Sequence, residues 1–291
     1  MRRFAGPEEA LVLLGDTLSA LSKLPSTYTS TVPLVPWVHR EAMASDELYV
    51  YATRAIPLRI IHWGTIVQYK TVNFIRGYLG GAKGKNPYVL FSMARCQIEL
   101  LAAAYSPIAA ISSVQCKSVE DDADQKAVED AVRNAVWTVD QALVQFLYGS
   151  KPSKDTINHF QELRLQSDVV AAAPKTADDD WDSKNIVTLI EHASKVQDYL
   201  KLRDDYDVLC GYLHPNWPSN RCLTEWSVDG DDWTMRLHRE GQGFKLASAM
   251  ASVEMMAEWA DETKRLVDSA PIFPFGSPDG LPVENQGQSP I

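Results

Sequence analysis

The chain has 291 residues, 45% apolar and 23% charged, with 38 acidic against 28 basic residues and a net charge of −10. A chain of this length buries roughly three quarters of the surface its unfolded form exposes, so it needs no disulfide or metal to stay folded. The acidic balance argues against a large sequence-independent nucleic-acid footprint and against an anionic membrane surface, because both depend on clustered lysine and arginine.

Cys96, Cys116, Cys210 and Cys222 include no C-x-x-C pair and read as reduced, partly buried thiols of a reducing compartment. Met1, Arg2 and Arg3 lead into Gly6, Pro7, Glu8 and Glu9 rather than into the apolar core of a signal peptide. The most apolar stretch, Ile56 to Leu79, carries Arg59, His62, Lys70 and Arg76, whereas a membrane span needs about 20 residues with few charges. A cytoplasmic location without a membrane partner is expected.

In chain order, Pro7, Glu8 and Glu9 open a first helix that Pro25 ends. Leu11, Leu14, Leu18 and Leu21 form its apolar stripe. A loop rich in Pro, Ser and Thr follows to Ser45, which with Asp46 starts a second helix that Pro57 kinks or divides. Pro57 to Leu79 is apolar on nearly every face and belongs at the centre of the fold. Gly80, Gly81 and Gly84 mark a break. Asn86 and Pro87 cap and open a helix to about Val114, bent at Pro107.

Ser118 and Asp121 suggest a capping arrangement for another helix, with Val128, Val132, Ala135, Val139, Leu143 and Phe146 at helical spacing. A short helix follows Pro152, then an exposed loop from Ala171 to Asp182. Ser183 caps one long helix to Pro215, with Ile186, Leu189, Ile190, Ala193, Val196 and Leu200 on its face. Thr224–Val228 and Trp233–Leu237 alternate about an Asp-Gly-Asp-Asp turn and read as a hairpin. A last helix covers about Phe244 to Val267. The expected architecture is all-α: a single helical domain over 1–270, a bundle of about six to eight helices with one small β-hairpin around 224–238, and a disordered Pro-rich tail at 271–291.

Two polar stripes lie on otherwise apolar helices. Ser92, Arg95 and Glu99 are three and four apart and share a face among core residues such as Phe91 and Ile98. A buried charge there must find a partner, so the stripe is either a structural ion pair or a charged pocket lining. Arg203, Asp207, Cys210 and His214 follow at spacings of four, three and four. His214 falls in a last turn, where the helix dipole favours the imidazolium; it is an acid/base candidate or simply the residue that ends the helix before Pro215.

The pairing of Arg95 and Glu99 with the later helix end Tyr206, Leu209, His214 and Pro215 resembles uncharacterised bacterial helical proteins related to the HEPN superfamily. The resemblance covers about half the chain and implies an RNA- or nucleotide-binding protein of bacterial defence or stress response. A metal-independent ribonuclease site at a homodimer interface is the activity it suggests. His214, Arg203 and Arg95 would then be catalytic, with Glu99, Tyr206, Asp207 and Trp217 lining the binding site. Active members carry arginine and histidine four to six residues apart on one helix, whereas about 16 Å of helix rise separates Arg203 from His214 here. A non-catalytic helical interaction or scaffold protein, whose polar clusters specify packing, is the alternative.

Other motifs do not stand. Gly80 to Asn86 lacks the first glycine and the hydroxyl residue of a P-loop, although Lys83 and Lys85 near a helix N-terminus suit weak anion contact. Asp178, Asp179 and Asp182 match a DDxxD pattern but lie in an exposed loop, with no second metal motif downstream. Cys210, His214 and Cys222 lack finger spacing and a fourth ligand, so no metal or other cofactor is expected. Trp217, Trp226 and Trp233 cluster near the second stripe, where they wall a pocket, stack a base or cover a core edge.

Overall fold

The computed structural model describes residues 4–21, 23, 48–49, 51–115, 125–148, 185–196, 200–214, 224–237 and 242–270. The helix start at Ser45 and Asp46, the capping residues Ser118 and Asp121, the helix after Pro152, the loop to Asp182, the Ser183 cap and the tail at 271–291 lie outside them, as do Pro215, Trp217 and Cys222. The fold is all-α with one small hairpin, as the helical spacing predicts. Among the described residues it has eight α-helices: α1 (Pro7–Leu21), α2 (Ile56–Lys83), α3 (Pro87–Gln115), α4 (Gln125–Tyr148), α5 (Ile186–Val196), α6 (Leu202–Leu213), α7 (Gln242–Met250) and α8 (Val253–Asp268). The antiparallel strands are β1 (Thr224–Asp229) and β2 (Asp232–Leu237).

The chain forms two compact units. One comprises Met1–Lys23, Val67–Ala103 and Ile186–Asp268; the other comprises Leu24–Ile66, Ala104–Asn185 and Ser269–Ile291. The long helices α2 and α3 each contribute residues to both.

In the first unit α1 packs on α8. The buried stripe of α1 is Ala10, Leu14, Thr17 and Leu21. Leu11, expected to be in the stripe, is 48% exposed. The small Ala10, one position earlier, occupies the contact instead and lets the helices approach. α8 buries Met256, Ala257, Trp259, Ala260 and Thr263. The Gln97 amide of α3 donates to the Thr263 hydroxyl at 2.8 Å. The Tyr78 hydroxyl of α2 donates to the Ala251 carbonyl, between α7 and α8, at 2.6 Å.

The glycines before Asn86 do more than break a helix. α2 continues through Gly80 and Gly81 to Lys83. There the Asn86 N–H donates to the Gly81 carbonyl at 2.9 Å and the Lys85 N–H to the Ala82 carbonyl at 3.1 Å. Lys85 adopts the left-handed conformation, with φ +49°. This is the Schellman arrangement, which satisfies carbonyls that a helix end leaves open. Asn86 then caps α3, its side-chain oxygen accepting from the Tyr88 and Val89 N–H groups at 3.1 and 3.3 Å, as the Asn-Pro pair predicts. Just before the turn, Gly77 and Gly81 lie one turn apart. A Cβ on Gly81 would sit 2.7 Å from Val89 Cγ1, and one on Gly77 would sit 2.6 Å from Met93 Sδ. The glycines thus admit the side chains of α3 against the backbone of α2.

The single long helix expected up to Pro215 is two helices. Ile190 and Ala193 of α5 are buried, but Val196 is exposed. The chain then passes through Lys201 at φ 46°, ψ 33°, a left-handed residue that α-helix cannot continue through. Asp204 and Asp205 in the first turn of α6 favour a new N-terminus at that point. The hairpin pairs Thr224 with Leu237 through Asp229 with Asp232. Its two-residue connection places Gly230 at φ +60°, the conformation that such turns require and glycine adopts without strain.

In the second unit a π-helical turn, Tyr51–Ala55, leads into α2. Pro57, expected to kink or divide a helix, is the second residue of α2, which directly follows the π-helical turn, the local irregularity at which its missing N–H falls. Arg59, 1% exposed, meets Asp140 of α4, 0% exposed, in an ion pair. Arg59 also donates to the Tyr51 hydroxyl at 2.9 Å, and that hydroxyl donates to Asp140 at 3.3 Å. Around them α4 buries Ala135, Val136, Val139, Ala142 and Leu143, and Trp63 meets Phe146 edge to face at 6.2 Å. α3 runs on through Pro107 to Gln115 and buries Ala104, Tyr105, Ile111 and Val114. By length and composition Pro87–Val114 could cross a membrane, but over half of its most apolar window is buried inside the protein, as in a core helix.

Two stability predictions follow from these contacts. Gly81→Ala costs more than Gly77→Ala, because Val89 is short and branched whereas Met93 can swing its thioether aside. Equal urea midpoints for the two variants would contradict this. Asp140→Ala strands a buried guanidinium and costs about 3–5 kcal/mol, most of it recovered in Arg59→Met with Asp140→Leu. A double variant no more stable than Asp140→Ala would contradict the assignment.

Candidate functional site

The first polar stripe acquires its partner from α6. Arg95 Nε donates to Glu99 Oε1 at 2.8 Å, one turn along α3. Its Nη2 donates to the Tyr206 hydroxyl at 3.2 Å, and its guanidinium carbon lies 5.3 Å from the centre of that ring. Tyr206, Leu202 and Leu209 form the buried face of α6. Four residues before Arg95, Phe91 stacks on Tyr212 at 4.8 Å and 14°. The polar and aromatic contacts therefore share one helix–helix seam.

Electrostatics follow from this packing. Burial pulls the Arg95 guanidinium toward deprotonation, but the hydrogen bond and charge of Glu99 outweigh it and hold the group above its ordinary value. Burial and a hydrogen bond with the Cys210 sulfur push the Tyr206 phenol up to about 12, against the pull of Arg95. Burial and Glu99 likewise raise the Cys96 thiol, with Arg95 opposing. Cys96 and Cys210 are free, half-buried thiols. For Cys96 the shift runs away from the activated thiolate that nucleophilic chemistry needs.

The second stripe lies on the outer face of α6. Arg203 donates to Asp207 at 2.9 Å and to Glu191 of α5 at 3.1 Å. The hydrogen bond with Asp207, opposed by slight desolvation and helped by Glu191, raises its guanidinium above the ordinary value. His214 caps the C-terminus of α6, extended at φ −75°, ψ 150°, with its backbone N–H donating to the Cys210 carbonyl at 3.1 Å. Its side chain is exposed. The structure thus brings Arg95, Glu99 and Tyr206 together, and Arg203 with Asp207. Among the described residues, neither Arg203 nor His214 is a partner of Arg95. Trp217 lies outside them, and no group of three metal-ligating side chains occurs among them.

Lys83 and Lys85 do flank the N-terminus of α3, but the Asn86 side chain already accepts the Tyr88 and Val89 N–H groups an anion would use. Sequence reasoning missed Asp205 and Asp140. Asp140 carried a readable signal, a carboxylate between Val139 and Leu143 on an apolar face. Burial, then the charge of Asp204, raises Asp205 from its ordinary 3.8 to about 6, with Glu258 adding to the rise and Lys201 opposing it. Beside the other cluster, burial and then Arg59 lower His62, which favours neutral imidazole.

Comparison with known protein families, with curated proteins and with solved structures returns no match.

The Asp205 shift sets a pH dependence. A carboxyl whose folded pKa is raised gives its full contribution to stability below its unfolded value and loses it as pH rises through the folded one. The contribution of Asp205 is therefore complete only below its ordinary 3.8 and is lost as pH rises through about 6. Asp205→Asn should raise the urea midpoint at about pH 8 and leave it nearly unchanged at about pH 3. An unchanged difference between variant and parent across that range would contradict the shift.

Proposed function

We propose that the protein is a non-catalytic helical interaction protein whose polar clusters specify how its helices pack. One observation carries this reading: the arginines of both stripes are held by carboxylates of this chain, Arg95 by Glu99 at 2.8 Å and Arg203 by Asp207 and Glu191 at 2.9 and 3.1 Å. A phosphate reaching Arg95 would have to displace Glu99 and break the contact with a Tyr206 hydroxyl that is itself buried. Truncation of a partner in such a network costs more than the net strength of the bond, because the group left behind is desolvated. The arrangement is that of a packing device.

The HEPN-like reading has one supporting observation. His214 presents its imidazole to solvent at the end of α6, with no hydrogen bond or ion pair to its side chain among the described residues. In that reading His214 is the acid/base, Arg95 and Arg203 contact phosphate, and the substrate is RNA or a nucleotide.

Incubation of a mixed RNA pool with the purified protein in EDTA, beside His214→Ala, separates the two. The non-catalytic reading expects no cleavage by either protein. Metal-independent cleavage that disappears in His214→Ala would overturn it in favour of the HEPN-like site.

A further inference from the structure

Two exposed helix faces of the first compact unit remain outside the packing just described. The inner face of α1 is taken by α8. Its outer face carries Glu9, Val12, Asp16 and Ser19, all exposed, Val12 by 64%. In the same unit the exposed face of α2 carries Asn73, Arg76, Gly80 and Lys83. At 100° per residue each set spans about 80° of its helix and so forms one stripe. The stripes are opposite in charge. Phe4 to Leu21 has three acidic residues and no basic one, whereas Tyr51 to Ile98 has seven basic residues and no acidic one. Among the described residues, Glu9, Asp16, Arg76 and Lys83 are in no ion pair.

The stripes also match in spacing. Read from its N-terminal end, the α1 stripe advances by three, four and three residues; read from its C-terminal end, the α2 stripe does the same. Laid antiparallel, Glu9 comes opposite Lys83, Val12 opposite Gly80, Asp16 opposite Arg76 and Ser19 opposite Asn73. Alternating steps of three and four are the seam of a paired helix, in which side chains of one enter gaps on the other. The two charge pairs are separated by the same rise on both helices, about 10.5 Å. Between them lie a knob and a notch: a Cβ on Gly80 would meet nothing within 4 Å, so the space is open where Val12 arrives. Glu9 in the first turn of α1 and Lys83 in the last turn of α2 also sit where each helix dipole favours their charge.

We infer that α1 of one copy packs antiparallel along the second half of α2 in another copy of this chain. Each copy carries both stripes, so a two-fold axis uses each of them once and closes the assembly as a dimer. An RNA backbone would satisfy Arg76 and Lys83 but leave Glu9 and Asp16 unpaired and Val12 uncovered; a second copy accounts for both stripes. A contact this short and polar is of the weak, transient class, with its specificity in the charges. Self-association deepens the non-catalytic reading by naming its partner, and because it is measured separately from RNA cleavage, either can fail alone.

The test is a charge exchange read by sedimentation equilibrium of the full chain. The parent should dimerise at or below about 100 μM, the range of a weak interface. The dimer should weaken between about 0.1 and 1 M salt, as the Debye length falls from about 10 to 3 Å. Arg76→Glu with Lys83→Glu, and separately Glu9→Lys with Asp16→Lys, should each raise the dimer dissociation constant by about tenfold or more. Mixing the two variants should restore a dimer, because each then offers the other opposite charge at both contacts. Gly80→Leu is a second, uncharged test. Leucine is the better helix former and its Cβ meets nothing within the chain, so the circular dichroism melt should not fall. The filled notch should nonetheless exclude Val12 and weaken the dimer by about tenfold. A parent monomeric at that concentration, a dimer indifferent to Gly80→Leu and to the exchanges, or folded variants that fail to complement would overturn the inference. So would a monomer that binds oligouridylate through Arg76 and Lys83, which would assign the face to RNA.

Discussion

The reversal at Gly84–Asn86 is the constraint on which much of the structure depends. Two helices of 28 and 29 residues meet there, and each supplies side chains to both compact units. Their relative placement is fixed locally. Lys85 in the left-handed conformation closes α2, Asn86 caps α3, and Gly77 and Gly81 remove the Cβ atoms that would hold the helices apart. Hydrogen bonds at helix ends contribute about 1 kcal/mol each, but a turn this fully bonded restricts direction as well as energy. Arg95 reaches Tyr206, and Gln97 reaches Thr263, from a helix whose start is already set.

Charge is handled in two distinct ways. Where helices pack, cations are matched: buried Arg59 by Asp140 under a tyrosine hydroxyl, half-buried Arg95 by Glu99 against a tyrosine ring. A buried pair is weak evidence for stability, since apolar residues of equal volume often do as well; its effect is to penalise arrangements that separate the partners. Outside, the second half of α2 leaves its cations without carboxylates of its own helix, while the hairpin tip concentrates aspartates.

Much of the fold was legible because most elements obey local rules. Helical periodicity identified α1, α4 and α8, Asn86-Pro87 marked the start of α3, and Asp-Gly between alternating runs marked the hairpin. The division at Lys201 was not legible, because a lysine in the left-handed region leaves no mark in composition and its neighbours keep helical spacing across it. Nor was the role of Gly77 and Gly81, since glycine reads as a break until a facing side chain is known. Of the candidate site, Arg95 with Glu99 followed from spacing alone. Its contact with Tyr206 links positions 111 residues apart, and no local pattern encodes such a distance. The buried ion pair of Arg59 was half visible: the arginine stood out in an apolar segment and Asp140 on an apolar face, but nothing local joins positions 81 residues apart.

The packing of α1 on α8 has a consequence for the order of folding. Residues 7–21 find their main apolar partner in residues 253–268, so the ribosome adds more than two hundred residues before that partner exists. During this interval Ala10, Leu14 and Leu21 form an apolar stripe with nothing to cover it, on a helix short enough to be marginal alone. The reversal between α2 and α3, by contrast, closes over a few residues and can form as soon as both helices emerge. Synthesis thus builds the centre first and leaves the α1 segment as a client for whatever shields exposed apolar surface, until α8 arrives to claim it.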